Sequence, residues 1–216
     1  MKQNAENSAA GPVVIGLTGG SGAGKSLVSL ALSENGVPVL DTDRVSRAVC
    51  EPGQPCLAAL TERFGTGILN GDGTMDRKGL AALVFGEPDP DKKAEKLHAL
   101  NTITHKYILD ACRDWIAGRY AEGARAVCID APQLFESGFD RECDRIVAVT
   151  AEKETRIARI IARDGISRDA AEQRIAVQYD DDFYRKRCDA VIENNGAPAE
   201  IPPKVFALLT AWGLDA

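Results

Sequence analysis

Val13-Val14-Ile15-Gly16-Leu17-Thr18-Gly19-Gly20-Ser21-Gly22-Ala23-Gly24-Lys25-Ser26 is the stretch that decides the fold of this chain. Its first five residues are an unbroken apolar run, the pattern of a strand buried on both faces, as strands of parallel sheets are. The run ends in glycines, and Ser26 to Asn35 reads as a helix stopped by Gly36. Strand, glycine loop and helix in that order are the setting in which G-x-x-x-x-G-K-[ST], here Gly19 to Ser26, is a phosphate-binding loop. Small residues let backbone N–H groups turn inward around a phosphate chain, and the helix N-terminus adds its partial positive charge. Lys25 brings a point charge to the β- and γ-phosphates, and the Ser26 hydroxyl can ligate Mg²⁺.

Outward from this loop, short apolar runs alternate with helical patterns. Val37 to Leu40 reads as a second strand ending at Asp41, and Ala126–Ile129, Ile146–Val149 and Ala190–Ile192 read as three more. Helical segments start at Val45, Gln54 and Met75, and Asp89-Pro90 begins the longest helix as N-cap and N1. Thr155–Arg163 and Asp169–Arg187 read as arginine-rich helices, and a last helix runs from Pro203 to Trp212. The expected fold class is α/β: a P-loop NTPase-type doubly wound parallel sheet of about five strands, with an inserted helical subdomain and a lid. The expected layout is a tail over 1–12 without order and a single P-loop domain over 13–216. Its core covers about 13–44 and 124–216, its helical insertion about 45–123, and its lid about 151–187.

Composition narrows the partners. The 216 residues carry 26 basic and 32 acidic side chains, a net charge of −6. That balance argues against general attraction to nucleic acid or an anionic membrane, so a phosphate ligand must be held locally. No run approaches a membrane span, and Met1 to Pro12 has no apolar core of a secretory signal. The six cysteines form no Cys-x-x-Cys pair and read as free thiols in a cytoplasmic protein.

Among nucleotide-binding classes, a guanine-reading Asn-Lys-x-Asp is absent, and the chain is short for a motor or transporter ATPase. A small kinase needs a base for the acceptor hydroxyl, an acceptor-binding region and an arginine-bearing lid. Asp41-Thr42-Asp43 follows the second strand, where a doubly wound sheet opens to its ligand crevice. There Asp41 can accept a proton and Asp43 can hold a Mg²⁺-bound water; either could instead cap the helix starting near Arg44. Asp130 ends its strand as a second candidate for the magnesium. Arg156, Arg159 and Arg163 share one helix face, although charges across 151–187 nearly balance, so one or two of these arginines are expected to reach substrate. His98, Asn101 and His105 form a polar strip better read as substrate-facing than metal-binding. Asn70-x-Asp72 lacks the glycine and glutamate of a calcium loop.

These pieces together resemble the dephospho-coenzyme A kinases, from about Val14 to Gly196. The resemblance is carried by Gly16-Leu17-Thr18-Gly19-Gly20, by Asp41-Thr42-Asp43 with Arg47, and by Glu51-Pro52-Gly53. It continues through Leu100-Asn101-Thr102-Ile103-Thr104-His105 and Asp130-Ala131-Pro132-Gln133-Leu134-Phe135-Glu136. Arg159, Arg163-Asp164, Arg174-Ile175, Gln178 and Asp189-Ala190-Val191-Ile192-Glu193-Asn194-Asn195-Gly196 complete it. The Asn-x-x-Thr-His and Pro-x-Leu-Phe-Glu pieces are far more particular than the phosphate loop, which many families share.

The resemblance implies transfer of the ATP γ-phosphoryl group to the ribose 3′-hydroxyl of dephospho-coenzyme A, the last step of coenzyme A synthesis, with Mg²⁺. Asp41, Lys25 and Arg159 are then the expected catalytic residues. Gly19, Gly22, Ala23, Gly24, Lys25, Ser26, Leu27, Arg163, Asn194 and Gly196 are expected to bind nucleotide, the last two beside the adenine. Asp43, Thr104, His105, Pro132, Leu134 and Glu136 are expected on the acceptor side, and Ser26, Asp43 and Asp130 at the metal. Ser21, Ala23, Leu27, Lys106 and Gln133 depart from the usual residues of the family. Another P-loop small-metabolite kinase, shikimate-like or nucleoside/nucleotide-directed, is the alternative, with a slow nucleotide-hydrolysing switch behind it. No nucleic acid or membrane partner is expected.

Overall fold

The computed structural model describes residues 13–215; the tail expected over 1–12 lies outside the described residues. By internal contacts the chain divides into two units, one running up to Leu40 and resuming at Ile116, the other Asp41–Trp115.

The first unit is built on five strands: β1 (Val13–Gly19), β2 (Val39–Asp41), β3 (Ala126–Asp130), β4 (Arg145–Thr150) and β5 (Ala190–Glu193), in the order β2-β3-β1-β4-β5. β1 is therefore central, paired in parallel with β3 from Val13↔Ala126 to Leu17↔Asp130, and with β4 from Ile15↔Arg145 to Gly19↔Val149. A central strand is covered on both faces, which is why its residues are apolar without alternation; Ile15 and Leu17 are fully buried. On one face they meet Val28 and Leu32 of α1 (Lys25–Glu34) and, towards the end of the chain, Val205 and Leu209 of α9 (Ile201–Ala211). Full burial of each such aliphatic side chain contributes about 1.5–3 kcal/mol. On the other face a Cβ at Gly16 would lie 2.8 Å from Cys143 Sγ and 2.9 Å from Leu134 Cδ2, so the missing side chain is what lets this layer close.

β2 begins two residues later than expected, because Pro38 lacks an N–H; its carbonyl still accepts from Cys128 N at 2.8 Å. The segment expected as a lid holds α6 (Lys153–Asp164), α7 (Arg168–Ala176) and α8 (Asp181–Arg187), with α6 and α7 packed through Ile157, Ile160 and Ala171. The single helix expected over 169–187 is two. Asp180 accepts from Phe183 N at 2.8 Å and restarts the helix as N-cap of α8.

The second unit holds α2 (Thr42–Ala48), α3 (Pro55–Phe64), α4 (Arg77–Phe85) and most of α5 (Pro90–Ala121) around its own core. Cys56, Leu60, Ile68 and Val84 are its centre, with Leu97, Leu100, Ile103 and Tyr107 of α5 packed against them. Those four recur every three or four residues, so they share one face of the helix. Asp89 Oδ1 accepts from Asp91 N and Lys92 N at 3.0 and 3.2 Å, the expected start of α5. The acidic turn at Asn70–Thr74 is closed on itself, with Asp72 accepting from Thr74 N and Oγ1.

Candidate active site

The glycine loop leaves the central strand and enters α1. Gly19, Gly22 and Gly24 have φ of 148°, 78° and 90°, values that favour glycine, and Gly24 is the N-cap of α1. Within the loop Ala23 N donates to Gly20 O at 3.1 Å, and Ser21 N donates to Gln178 Oε1 at 3.0 Å. Among the described residues the N–H groups of Gly22, Gly24, Lys25 and Ser26 have no acceptor. Four inward donors at a helix N-terminus are an anion cradle in chemical kind. Leu27, one residue on, points the other way: it packs partly buried against the apolar core.

Lys25 Nζ donates to Asp130 Oδ1, and Asp130 is buried at the C-terminal end of β3. The register Leu17↔Asp130 accounts for this pairing, since it sets the end of β3 beside the approach to the loop. Lys25 and the exposed Ser26 open α1, and the Lys25 ammonium meets the buried carboxylate that ends β3. The Ser26 hydroxyl and the Asp130 carboxylate bring oxygens of the hard kind that Mg²⁺ takes, supplemented by water and phosphate. Among the described residues no group of three or more His, Cys, Asp or Glu could hold a metal alone.

All three α6 arginines have contacts with the loop. Arg156 Nε donates to Ser21 O at 2.9 Å. Arg159 Nη1 donates to Asn194 O at 3.0 Å and lies 3.4 Å from the Gly22 and Ala23 carbonyls. Arg163 is exposed, sits 3.4 Å from Ser21 Oγ, and is otherwise engaged by Asp164 at 2.7 Å. Asp164 also pairs with Arg174, and these two cations, Arg163 first, hold its carboxyl well below the usual range.

Asn194 follows β5 and is wholly buried. Its backbone N donates to Thr150 O at 2.8 Å and its Nδ2 to Ala23 O at 2.9 Å. Its Oδ1 is buried with no donor among the described residues. Such an acceptor costs about 1–3 kcal/mol when left unpaired, so this oxygen fits a donor brought by a ligand. The missing side chain of Gly24 leaves room for this contact, since a Cβ there would collide with Asn194 Nδ2. Gly196 lies next to Glu200, whose Oε1 accepts from Ala197 N at 3.0 Å.

The acceptor-side candidates divide. Pro132 and Glu136 are exposed, and the Pro132 carbonyl accepts from Thr18 Oγ1 at 3.5 Å. Leu134, by contrast, is fully buried against Gly16, so its side chain is part of the core and presents no surface to a ligand. Phe135, which follows it, joins Tyr179, Phe183 and Tyr184 in an aromatic cluster that sequence reasoning did not anticipate; Tyr179 and Phe183 stack at 3.8 Å.

In the second unit Asp41 is the N-cap of α2. Its Oδ1 accepts from Asp43 N at 2.8 Å and Arg44 N at 3.4 Å, which leaves Oδ2 outside the cap. The capping alternative is therefore realised by Asp41 and not by Asp43, which is exposed in the first turn. On α5, Thr104 Oγ1 donates to Leu100 O at 2.8 Å within the helix, and His105, half-buried, follows it.

Comparison with known proteins bears on the chain as a whole. The family model described as dephospho-CoA kinase matches residues 13–200. A dephospho-CoA kinase of Corynebacterium efficiens is 43% identical over 84% of this chain and 88% of its own. One from Anaeromyxobacter dehalogenans is 38% identical over 91% and 90%. Among solved structures, TT1252 from Thermus thermophilus has a TM-score of 0.77 at 31% identity, covering 94% of this chain and 98% of its own. A shikimate kinase from Bacteroides thetaiotaomicron, at 15% identity, covering 94% of this chain and 99% of its own, and TM-score 0.52, shares the fold. The match spans both units, from the first residue of β1 to the residue before α9, and on it the chain belongs to the dephospho-CoA kinase family.

Proposed function

We propose that the protein transfers the γ-phosphoryl group of ATP to the ribose 3′-hydroxyl of dephospho-coenzyme A, the step that completes coenzyme A. The observation that carries the reading is the loop: four N–H groups without a protein acceptor, beside Lys25, at the N-terminus of α1. Phosphoryl transfer has a loose, charge-rich transition state, so positioning and electrostatics supply most of the catalysis.

Each residue then has a task. The loop donors and Lys25 hold the β- and γ-phosphates, and Asn194 Oδ1 accepts a hydrogen bond from the nucleotide base. Arg159 and Arg163 offer guanidinium N–H groups to the transferring phosphoryl oxygens. Asp41 Oδ2, the oxygen outside the cap, receives the proton as the 3′-oxygen forms its bond to phosphorus and the bond to the ADP oxygen breaks. Ser26 and Asp130 would hold Mg²⁺ directly, with Asp43 on a bound water. Bound there, the ion would supply positive charge against the charge that develops on the phosphoryl oxygens. Pro132, Glu136, Thr104 and His105 are assigned to the acceptor.

Among the described residues no helix is long and apolar enough to cross a membrane. The cysteines are free thiols, which suits a reducing compartment, and a cytoplasmic site of action is part of the proposal. The test is an acceptor panel with Mg²⁺-ATP: dephospho-coenzyme A, shikimate, adenosine and AMP. Turnover with the first and background with the others supports the reading. Turnover with shikimate or a nucleotide instead replaces it, and ADP release indifferent to every acceptor leaves a hydrolytic switch.

A further inference from the structure

Ser21 sits at the tip of the phosphate loop, and both polar groups of its backbone are taken by the lid region. Its N–H donates to Gln178 Oε1 at 3.0 Å, and its carbonyl accepts from Arg156 Nε at 2.9 Å. Arg156 Nη2 also donates to Gln178 Oε1, which closes the three residues into a ring. Arg156 is only 6% exposed and makes no ion pair among the described residues. Burial lowers its pKa, against the distant pull of Asp181 and Tyr184. A buried, unpaired guanidinium is costly unless it is hydrogen-bonded, and here one bond goes to the loop at Ser21 O and one to Gln178 Oε1. The packing agrees. A Cβ on Gly20 would lie 2.8 Å from Arg156 Cζ, and one on Gly22 would lie 2.6 Å from the Arg156 carbonyl. Gly22 is therefore required by the α6 backbone, while at Gly20 the neighbour is the end of the Arg156 side chain.

We propose that Arg156 and Gln178 are positioning residues for phosphoryl transfer, a clamp that holds the Ser21 backbone so that the Gly22, Gly24, Lys25 and Ser26 donors face the triphosphate. The inference deepens the kinase reading and rests on it. Neither side chain needs to touch the reacting atoms. With the Ser21 N–H engaged by Gln178, the cradle starts at Gly22, and the charge of Arg156 lies directly behind it.

The variants are Gln178→Leu, Arg156→Lys, Arg156→Met and the double Gln178→Leu/Arg156→Met. ATP affinity is read by calorimetry with a non-hydrolysable ATP analogue, and steady-state constants by ADP release. Gln178→Leu and Arg156→Met are expected to weaken analogue binding and raise KM for ATP by about tenfold each. The KM for dephospho-coenzyme A stays within twofold. Because both act through Ser21, the double variant should lose little more than either single one, far from the hundredfold of independent sites. Arg156→Lys, which keeps a cationic donor group but not the fork that spans Ser21 O and Gln178 Oε1, should recover part of the loss. A merely structural role would lower the melting temperature and leave the ATP terms alone. Analogue binding within twofold of wild type in folded Gln178→Leu, or additive losses in the double variant, would overturn the clamp. Should Arg156→Met fail to fold, Gln178→Leu and Arg156→Lys still decide. Analogue binding is measured without acceptor, so the clamp is tested even if dephospho-coenzyme A proves not to be the substrate.

Discussion

Replacing Gly22 by alanine strains the loop in two separable ways. Its φ of 78° is left-handed, which costs a residue with a Cβ about 1–2 kcal/mol. The new Cβ would also lie 2.6 Å from the Arg156 carbonyl and 3.0 Å from its Cα, backbone atoms of α6 that cannot swing aside. Overpacking of that kind costs about 1–3 kcal/mol more. Gly36, with φ of 77° and nothing within 4 Å of its Cβ position, supplies the control, because Gly36→Ala carries the conformational term alone. Any stabilisation through the unfolded chain is common to both and cancels in the difference. The expected difference is about 1–3 kcal/mol, or about 2–12 °C in melting temperature for a chain of this size. Paired urea and thermal melts read it directly. Equal destabilisation of the two variants would refute the claim that α6 backbone is seated against the loop.

Other consequences are as direct. Asp41→Asn keeps an N-cap side chain but loses the proton acceptor, so turnover should fall at least about a hundredfold with melting temperature nearly unchanged. Near-normal turnover would remove Asp41 from the base role. Lys25→Ala should cost a similar factor in turnover and also release Asp130 from its partner, read by kinetics beside circular dichroism. Asn194→Ala removes the bond to Ala23 O and the buried Oδ1 together; ATP should bind several-fold more weakly while the KM for acceptor holds. For Asp164 the folded pKa is depressed, by Arg163 first and Arg174 next. Its contribution to stability is therefore present above the ordinary carboxylate range and lost as pH falls towards its folded value. An acid titration of Asp164→Asn should be correspondingly flatter than that of wild type.

The phosphate loop and the five strands were legible because their signals are local: an unbroken apolar run, glycines at fixed offsets, and a lysine at a helix start. The cap of α5 by Asp89 was legible for the same reason. What escaped was long-range. Ser21 and Gln178 are 157 residues apart, and Asn194 and Ala23 are 171 apart. No spacing rule connects such pairs. Arg156 carried the same periodicity as Arg159 and Arg163, so a helical-face argument could not show that it is buried while Arg163 is exposed. Leu134 lay inside a segment expected to face acceptor, yet Gly16 leaves a gap that only a large apolar side chain fills. The break between α7 and α8 had a readable sign in Asp180-Asp181-Asp182, a capping run inside what otherwise scans as one charged helix.

The central claim concerns where the phosphoryl group goes. Wild-type protein with Mg²⁺-ATP and dephospho-coenzyme A, followed by coupled ADP release and by mass and phosphorus NMR of the product, tests it most directly. The account predicts one ADP for each acceptor consumed and one added phosphate, on the ribose 3′-oxygen. ADP release that ignores the acceptor, or a phosphate placed elsewhere on the molecule, would contradict it.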